Sequence, residues 1–93
     1  MIEIGKSYYF IAHAYHHYVG EVIDASPRWA KVNNCVKIMS DSRGWEAFFR
    51  EGIQPGATNL QHCPDGTLIP IGNMPIHPWH HPIPKPPPKK RAN

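Results

Sequence analysis

"YVGEVIDASPRWAKVNNCV", residues 18–36, decides how this chain folds. Its opening run, Tyr18 to Asp24, is rich in β-formers and alternates. Val19, Glu21 and Ile23 share one face; Tyr18, Gly20 and Val22 share the other. A glycine inside such a run marks a sharp bend or the close approach of another backbone. "ASPR" (Ala25 to Arg28) supplies a turn. Trp29 to Met39 then resumes as a strand, broken or bulged at Asn33-Asn34. The pattern predicts a bent strand, a tight turn and an interrupted strand in succession.

Working outward, "SYYFIAH" (Ser7 to His13) reads as the preceding strand, with Tyr8, Phe10 and Ala12 on one face and Tyr9, Ile11 and His13 on the other. "HAYHHYVG" (His13 to Gly20) links the two strands. Tyr15 and Tyr18 are expected to pack, leaving imidazoles to meet a ligand or partner. After the third strand the period changes. "SDSRGWEAFFREG" (Ser40 to Gly52) offers Asp41 and Ser42 as caps, places Trp45, Phe48 and Phe49 at i, i+3 and i+4, and stops at Gly52. That spacing predicts an amphipathic helix over about 42–51. "IQPGATNLQHCPDG" reads as loop. Thr67 to Ile71 is a fourth strand, Gly72-Asn73 a turn, and Met74 to Trp79 a fifth strand. Pro70, Pro75 and Pro78 confine the latter to an edge.

Charge is unevenly placed. Residues 85–93 hold Lys85, Lys89, Lys90 and Arg91, four of the ten basic residues, and no acid. The rest of the chain is close to neutral, so no basic groove for nucleic acid is evident in it. From Pro82 onward "PIPKPPPKKRAN" is expected to be polyproline II or disordered and unable to pack a core. Pro84 to Lys89 fits the PxxPx(K/R) pattern of peptides that enter aromatic grooves. Residues 1–81 are therefore expected to form one domain and 82–93 an extended tail. A domain this small gains from self-association. No apolar run is long enough to span a membrane and no secretory leader precedes Ile2. The expectation is a protein of the cytoplasm with reduced Cys35 and Cys63.

Seven histidines are the compositional anomaly. Zinc takes four tetrahedral imidazole or thiolate ligands, and His16, His62, Cys63 and His80 are the candidates. Yet there is no CxxC and no HxxxH on a helix, and neighbours such as His16 and His17 point to opposite faces of a strand. The expectation is no cofactor, with zinc as the alternative. Cys63 beside His62 invites a nucleophile reading, but adjacent side chains rarely meet and "CPDG" is a turn. "GIQPGAT" lacks the lysine and helix of a phosphate loop. Trp29, Trp45 and Trp79 read as core or subunit contacts, with base stacking beside Arg28, Lys31 or Arg43 as the alternative. An enzyme is not expected. The candidate contact residues are His13, His16, His17, Arg28, Arg43, Lys85, Lys89, Lys90 and Arg91.

Two resemblances follow from these motifs. "YVGEVIDASPRWAKVNNCV" and "TLIPIGNMPIHP" (67–78) resemble the two motifs of Sm-like proteins, a glycine-bent strand with its turn and two strands meeting at Gly-Asn. The resemblance implies a mainly β fold, a small five-stranded SH3/Sm-like barrel with one short helix inserted between strands 3 and 4. Ile71 stands where the basic residue before that glycine is usual, which argues against RNA binding of the Sm kind. Through residues 5–82, "YYFIAHAYHHYVGEVID", "VNNCVKIMSDSRGWEAFFREG" and "CPDGTLIPIG...HPWHHPIP" resemble a family of small bacteriophage and prophage proteins of uncharacterised function. Its members typically show "FIRTVTxYYTGRVVE", "DTGRF" and "EPFPDGVIV". Ala12-His13 replaces Arg-Thr here, and "DSRGW" replaces "DTGRF". This resemblance implies a phage accessory or virion protein. The expected function is that of a non-enzymatic, homo-oligomeric binding protein acting against a host defence, by inhibiting a host protein or sequestering a nucleotide. A minor virion protein with a proline-rich arm is the second reading, and a His/Cys metal module the third.

Overall fold

The structure, a computed structural model, describes residues 2–13 and 16–87. Its elements are β1 (Ser7–His13), β2 (His16–Ala25), β3 (Trp29–Asp41), α1 (Trp45–Glu51), β4 (Thr58–His62), β5 (Thr67–Pro70) and β6 (Ile76–Pro78). All pairings are antiparallel, in the order β4-β3-β2-β1-β6, and β5 also pairs with β3. At thirteen residues, β3 takes two partners in turn: Trp29 to Val32 meets β5 and Val36 to Asp41 meets β4. The sheet therefore has six strands rather than the expected five. The extra one, β4, lies in the stretch read as loop, where Leu60 is a single hydrophobe among polar neighbours and gives little alternation to read. Among the described residues no ladder joins β6 to β4 or β5, so the ladders do not close a barrel.

Both faces of this sheet are buried. Tyr8 and Phe10 of β1 enter one cluster with Val22, Ala30, Val32, Cys35, Ile69 and Ile71. Tyr9, one residue along, enters a second cluster with Val19, Val36, Ile38, Phe48 and Trp79. A regular strand sends alternate residues to opposite faces, and β1 and β2 obey this. β3 cannot: Ala30, Val32 and Cys35 serve the first cluster, Val36 and Ile38 the second. The change of parity comes from a bulge. Val19 pairs with Val36 and Glu21 with Asn33, so Asn34 and Cys35 together stand opposite Gly20. Asn34 has φ 49°, left-handed backbone that asparagine tolerates better than most residues. Its N–H, lost to the ladder, donates to Asp65 Oδ1 at 2.9 Å, and Gly66 N–H donates to Asn33 Oδ1 at 3.0 Å. The "CPDG" turn thus pairs the polar groups that the bulge frees.

Gly20 proves to be a site of close approach. A Cβ there would lie 3.1 Å from Val32 Cβ and 3.2 Å from Cys35 Cβ. The hairpin from β2 to β3 is closed by Ser26, whose Oγ accepts from Arg28 N–H and Trp29 N–H, both at 3.2 Å.

The helix is shorter than its sequence signals. It begins at Trp45, with Gly44 at the N-cap position and no side-chain cap. Asp41 still belongs to β3, and its carboxylate is engaged by Arg43. Phe48 is the helix's buried anchor, stacked on Trp79 with ring centroids 5.0 Å apart. Trp79 is itself buried. Its indole N–H has no hydrogen-bond partner among the described residues, a cost that ring contacts around it must offset. The segment after it continues the clamp. His81 Nε2–H donates to the Phe49 carbonyl at 3.1 Å, and its ring fills the space a Cβ at Gly52 would occupy. Ile83 packs on the second cluster, so the expectation that nothing beyond Pro82 contributes to the core is corrected at that residue.

Gly20→Val forces branched carbon into the space held by Val32 and Cys35. Overpacking of this kind costs about 1–3 kcal/mol. The expected result is a lower urea midpoint with an unchanged slope.

Candidate functional site

Register explains why three rings of the sheet, Tyr9, His17 and His77, gather on its helix side. Tyr9 is opposite Val19 on β2 and opposite His77 on β6, while His17 is opposite Ile11. Tyr9, His77 and His17 therefore project from one face, His17 being the diagonal neighbour of Tyr9. Helix α1 adds Trp45 and Phe49 to either side of its buried Phe48. Ring centroids separate Tyr9 from His17 by 5.6 Å, from Phe49 by 5.8 Å and from His77 by 6.3 Å. Phe49 and His77 are 5.1 Å apart.

The lower layer is fixed. His17 is only 5% exposed. The Tyr9 hydroxyl and His17 Nδ1 share a hydrogen bond. Burial pushes the Tyr9 pKa up to about 12, so the hydroxyl keeps its proton across the physiological range. Trp45 then lies flat on the imidazole, its centroid 3.8 Å away and the planes 2° apart. The upper layer is accessible: Trp45 is 37% and Phe49 40% exposed, and His77 is exposed as well. The result is a shelf of preset rings, open above and hydrogen-bonded below.

The candidate contact residues are scattered around this shelf. His17 lies beneath it as support. His16 is exposed on the opposite face of β2, and His13 pairs with it at the end of β1. Arg28 is exposed at the β2–β3 turn, at the far end of β2, roughly 30 Å along the strand from His16. Lys85 is exposed beyond Ile83. Lys89, Lys90 and Arg91 lie outside the described residues. Arg43 is engaged internally. Its Nε and Nη2 meet the two oxygens of Asp41 at 3.0 and 2.8 Å, Nη2 also reaches the Gly52 carbonyl at 2.6 Å, and Nη1 the Gln54 Oε1 at 3.1 Å. Thr58 Oγ1–H donates to Asp41 Oδ2 at 2.6 Å. This knot ties β3, the end of α1 and the start of β4, and so holds the helix that carries Trp45 and Phe49.

The proposed metal ligands do not converge. Among the described residues no three His, Cys, Asp or Glu side chains are grouped as a metal ion requires, so His16, His62, Cys63 and His80 form no such set. His62 and Cys63 instead border a groove of about 850 Å³ with Cys35 and Asp65. Among the described residues no helix is long and apolar enough to cross a membrane.

Comparison with protein-family models, with characterised proteins and with solved structures finds no match to this chain. The Sm-like and phage-family resemblances therefore rest on the quoted motifs alone. What the sequence reading missed is the exposure of Trp45 and Phe49. A helix of seven residues cannot bury three large rings against one sheet face. Its brevity, bounded by Gly44 and Gly52, was the available signal.

The Arg43 guanidinium beside Asp41 holds that carboxyl at about 2, below its ordinary 3.8. A depressed carboxyl contributes stability above the unfolded value and loses it as the pH falls through the folded one. The wild type should therefore lose stability between about pH 4 and pH 2. Asp41→Asn should be less stable at neutral pH and show a flatter profile through that window, as read by urea midpoints at each pH.

Proposed function

We propose that this protein is a small non-enzymatic binding module whose contact surface is the aromatic shelf of Trp45, Phe49 and His77. The observation that carries the reading is Trp45, held flat on a buried, hydrogen-bonded His17 while more than a third of its surface stays open. An exposed ring is ordinary; an exposed ring fixed in place by a polar layer beneath it is ready to bind with little ordering cost. Aromatic anchors of this kind dominate the energetics of interfaces. Flat rings accept either the apolar side chains of a partner protein or the face of a nucleotide base.

The biological setting comes from the phage-family resemblance of residues 5–82: a phage-encoded protein in the host cytoplasm that inhibits a host protein or sequesters a nucleotide, working as a homo-oligomer. Exposed Ile4, Ile23, Met39 and Leu68 outside the shelf offer apolar surface for self-association. No catalytic constellation is invoked, because the shelf binds by stacking and burial.

Native mass spectrometry of protein purified gently from cells tests this reading. The wild type should carry added mass, from further subunits, a partner or a small molecule. A Trp45→Ala/Phe49→Ala double variant should keep its circular dichroism and lose the non-self mass. Loss of a hot-spot ring costs about 2 kcal/mol, roughly 30-fold in affinity. A wild type that carries no ligand or partner, or a double variant that binds as tightly, overturns it.

A further inference from the structure

The helix site leaves the two cysteines unused. Both are free thiols, Cys35 buried and Cys63 half-buried. They belong to the β3–β4 pairing, one step beyond its last rung. Val36 pairs with His62, and Cys63 N–H then donates to the Cys35 carbonyl at 2.9 Å. Residues that face each other across an antiparallel hydrogen-bonded position have Cα atoms about 5.5 Å apart, inside the range of about 4.4–6.8 Å that a disulfide needs. Facing residues also project to the same side of the sheet, and these two do so: Cys35 is a member of the first core cluster and Cys63 packs against it. Both thiols line one groove, bordered by His62, Asp65, Lys85 and Pro86. Solvent reaches Cys63 from that side.

We propose that Cys35 and Cys63 form a reversible intramolecular disulfide when the protein meets a small-molecule disulfide such as oxidised glutathione. The position of the pair gives the bond a consequence. The loop it closes, residues 35–63, contains the second half of β3, all of α1 and all of β4. It would staple the two strands that flank the helix and its Arg43–Asp41 knot. Rigidity of the helix carrying Trp45 and Phe49 would then follow the redox state of its surroundings. This inference goes beyond the binding reading and does not depend on it.

The chemistry assigns different roles to the two sulfurs. Cys63, the more accessible, loses its proton and its thiolate attacks one sulfur of oxidised glutathione. A Cys63–glutathione bond forms, the glutathione S–S bond breaks, and one glutathione thiolate leaves. Cys35 resolves the mixed disulfide. Its thiol loses its proton, its sulfur attacks Cys63 Sγ, and the second glutathione leaves as a thiolate. The two protons released by the cysteines end on the two glutathione thiolates. Two cysteine thiols are oxidised and one glutathione disulfide is reduced to two thiols. Burial first, and the neighbouring Cys63 second, push the Cys35 thiol well above its ordinary range. Once Cys63 is capped it no longer bears the charge that opposes ionisation of Cys35, so capping favours the second step.

The test treats the full chain with oxidised glutathione, then measures intact mass, maps peptides and follows thermal unfolding, with dithiothreitol as the reversal. The expected product is a chain lighter by two hydrogens, with one peptide pair linking Cys35 to Cys63. Closing a loop of this size should raise Tm by about 10 °C or more, and dithiothreitol should restore both mass and Tm. Mapping on the wild-type chain locates the bond without relying on a variant that folds. Cys35→Ser should stop at a single glutathione adduct on Cys63. A persistent glutathione adduct on the wild type, a disulfide between two chains, two thiols that stay unreacted, or an internal bond that lowers Tm would each overturn the proposal. None of these readouts involves the shelf, so failure here and failure of the binding reading are distinguishable.

Discussion

The structure depends on one irregularity, the bulge at Asn34 and Cys35 opposite Gly20. In a chain of 93 residues, covering both faces of the sheet falls to β1, β2 and β3, each of which supplies both cores. β1 manages this by plain alternation. β3 has a harder task, because its first half meets β5 and its second half meets β4. Were β3 to run past this point without a bulge, regular alternation would turn Val36 and Ile38 with Ala30 and Val32 to the first cluster, and the helix side would lose the floor on which Phe48 and Trp79 sit. The bulge is therefore what makes a second core available. It is held from outside by the Asp65 carboxylate and the Gly66 N–H, and from across the ladder by the absence of a side chain at Gly20.

That second core fixes where function can reside. Trp79, His81 and Ile83 come from a proline-rich segment with no regular secondary structure, yet they bind the helix to the sheet. With Phe48 pinned beneath, the geometry of a seven-residue helix pushes Trp45 and Phe49 to the margin of the contact. Their exposure follows from the shortness of the helix, and His17 and Tyr9 then convert it into order. Both partners of the Tyr9–His17 hydrogen bond sit on strands, so the layer under Trp45 is as rigid as the sheet.

Much of this was legible in residues 18–36. Gly20 announced a close approach and Asn33-Asn34 an interruption, because glycine and asparagine are the residues that such backbone positions demand. The alternation in Ser7 to His13 delimited β1, and the Trp45, Phe48, Phe49 spacing located the helix. What stayed hidden was long-range. β4 carries one hydrophobe, Leu60, and is recruited by pairing with β3 rather than by its own pattern. The engagement of Arg43 was hidden because a bidentate bond to a carboxylate two residues away leaves no trace in spacing. The burial of His17 was hidden because one of the rings that cover it, Trp45, lies twenty-eight residues further on.

The same long-range logic ties the cysteines to the shelf. In sequence, Cys35 is a small residue in a strand and Cys63 the start of a turn. The bulge turns Cys35 toward the first core, and the "CPDG" turn that completes the bulge's hydrogen bonds brings Cys63 opposite it. The feature that creates the second core thus also juxtaposes the thiols at the base of the segment that carries the helix. β3 and β4 run from that base to the Arg43–Asp41 knot, which joins both strands to the end of α1. One bulge, one knot and one pair of thiols enclose the same stretch of chain, and the exposed rings lie inside it.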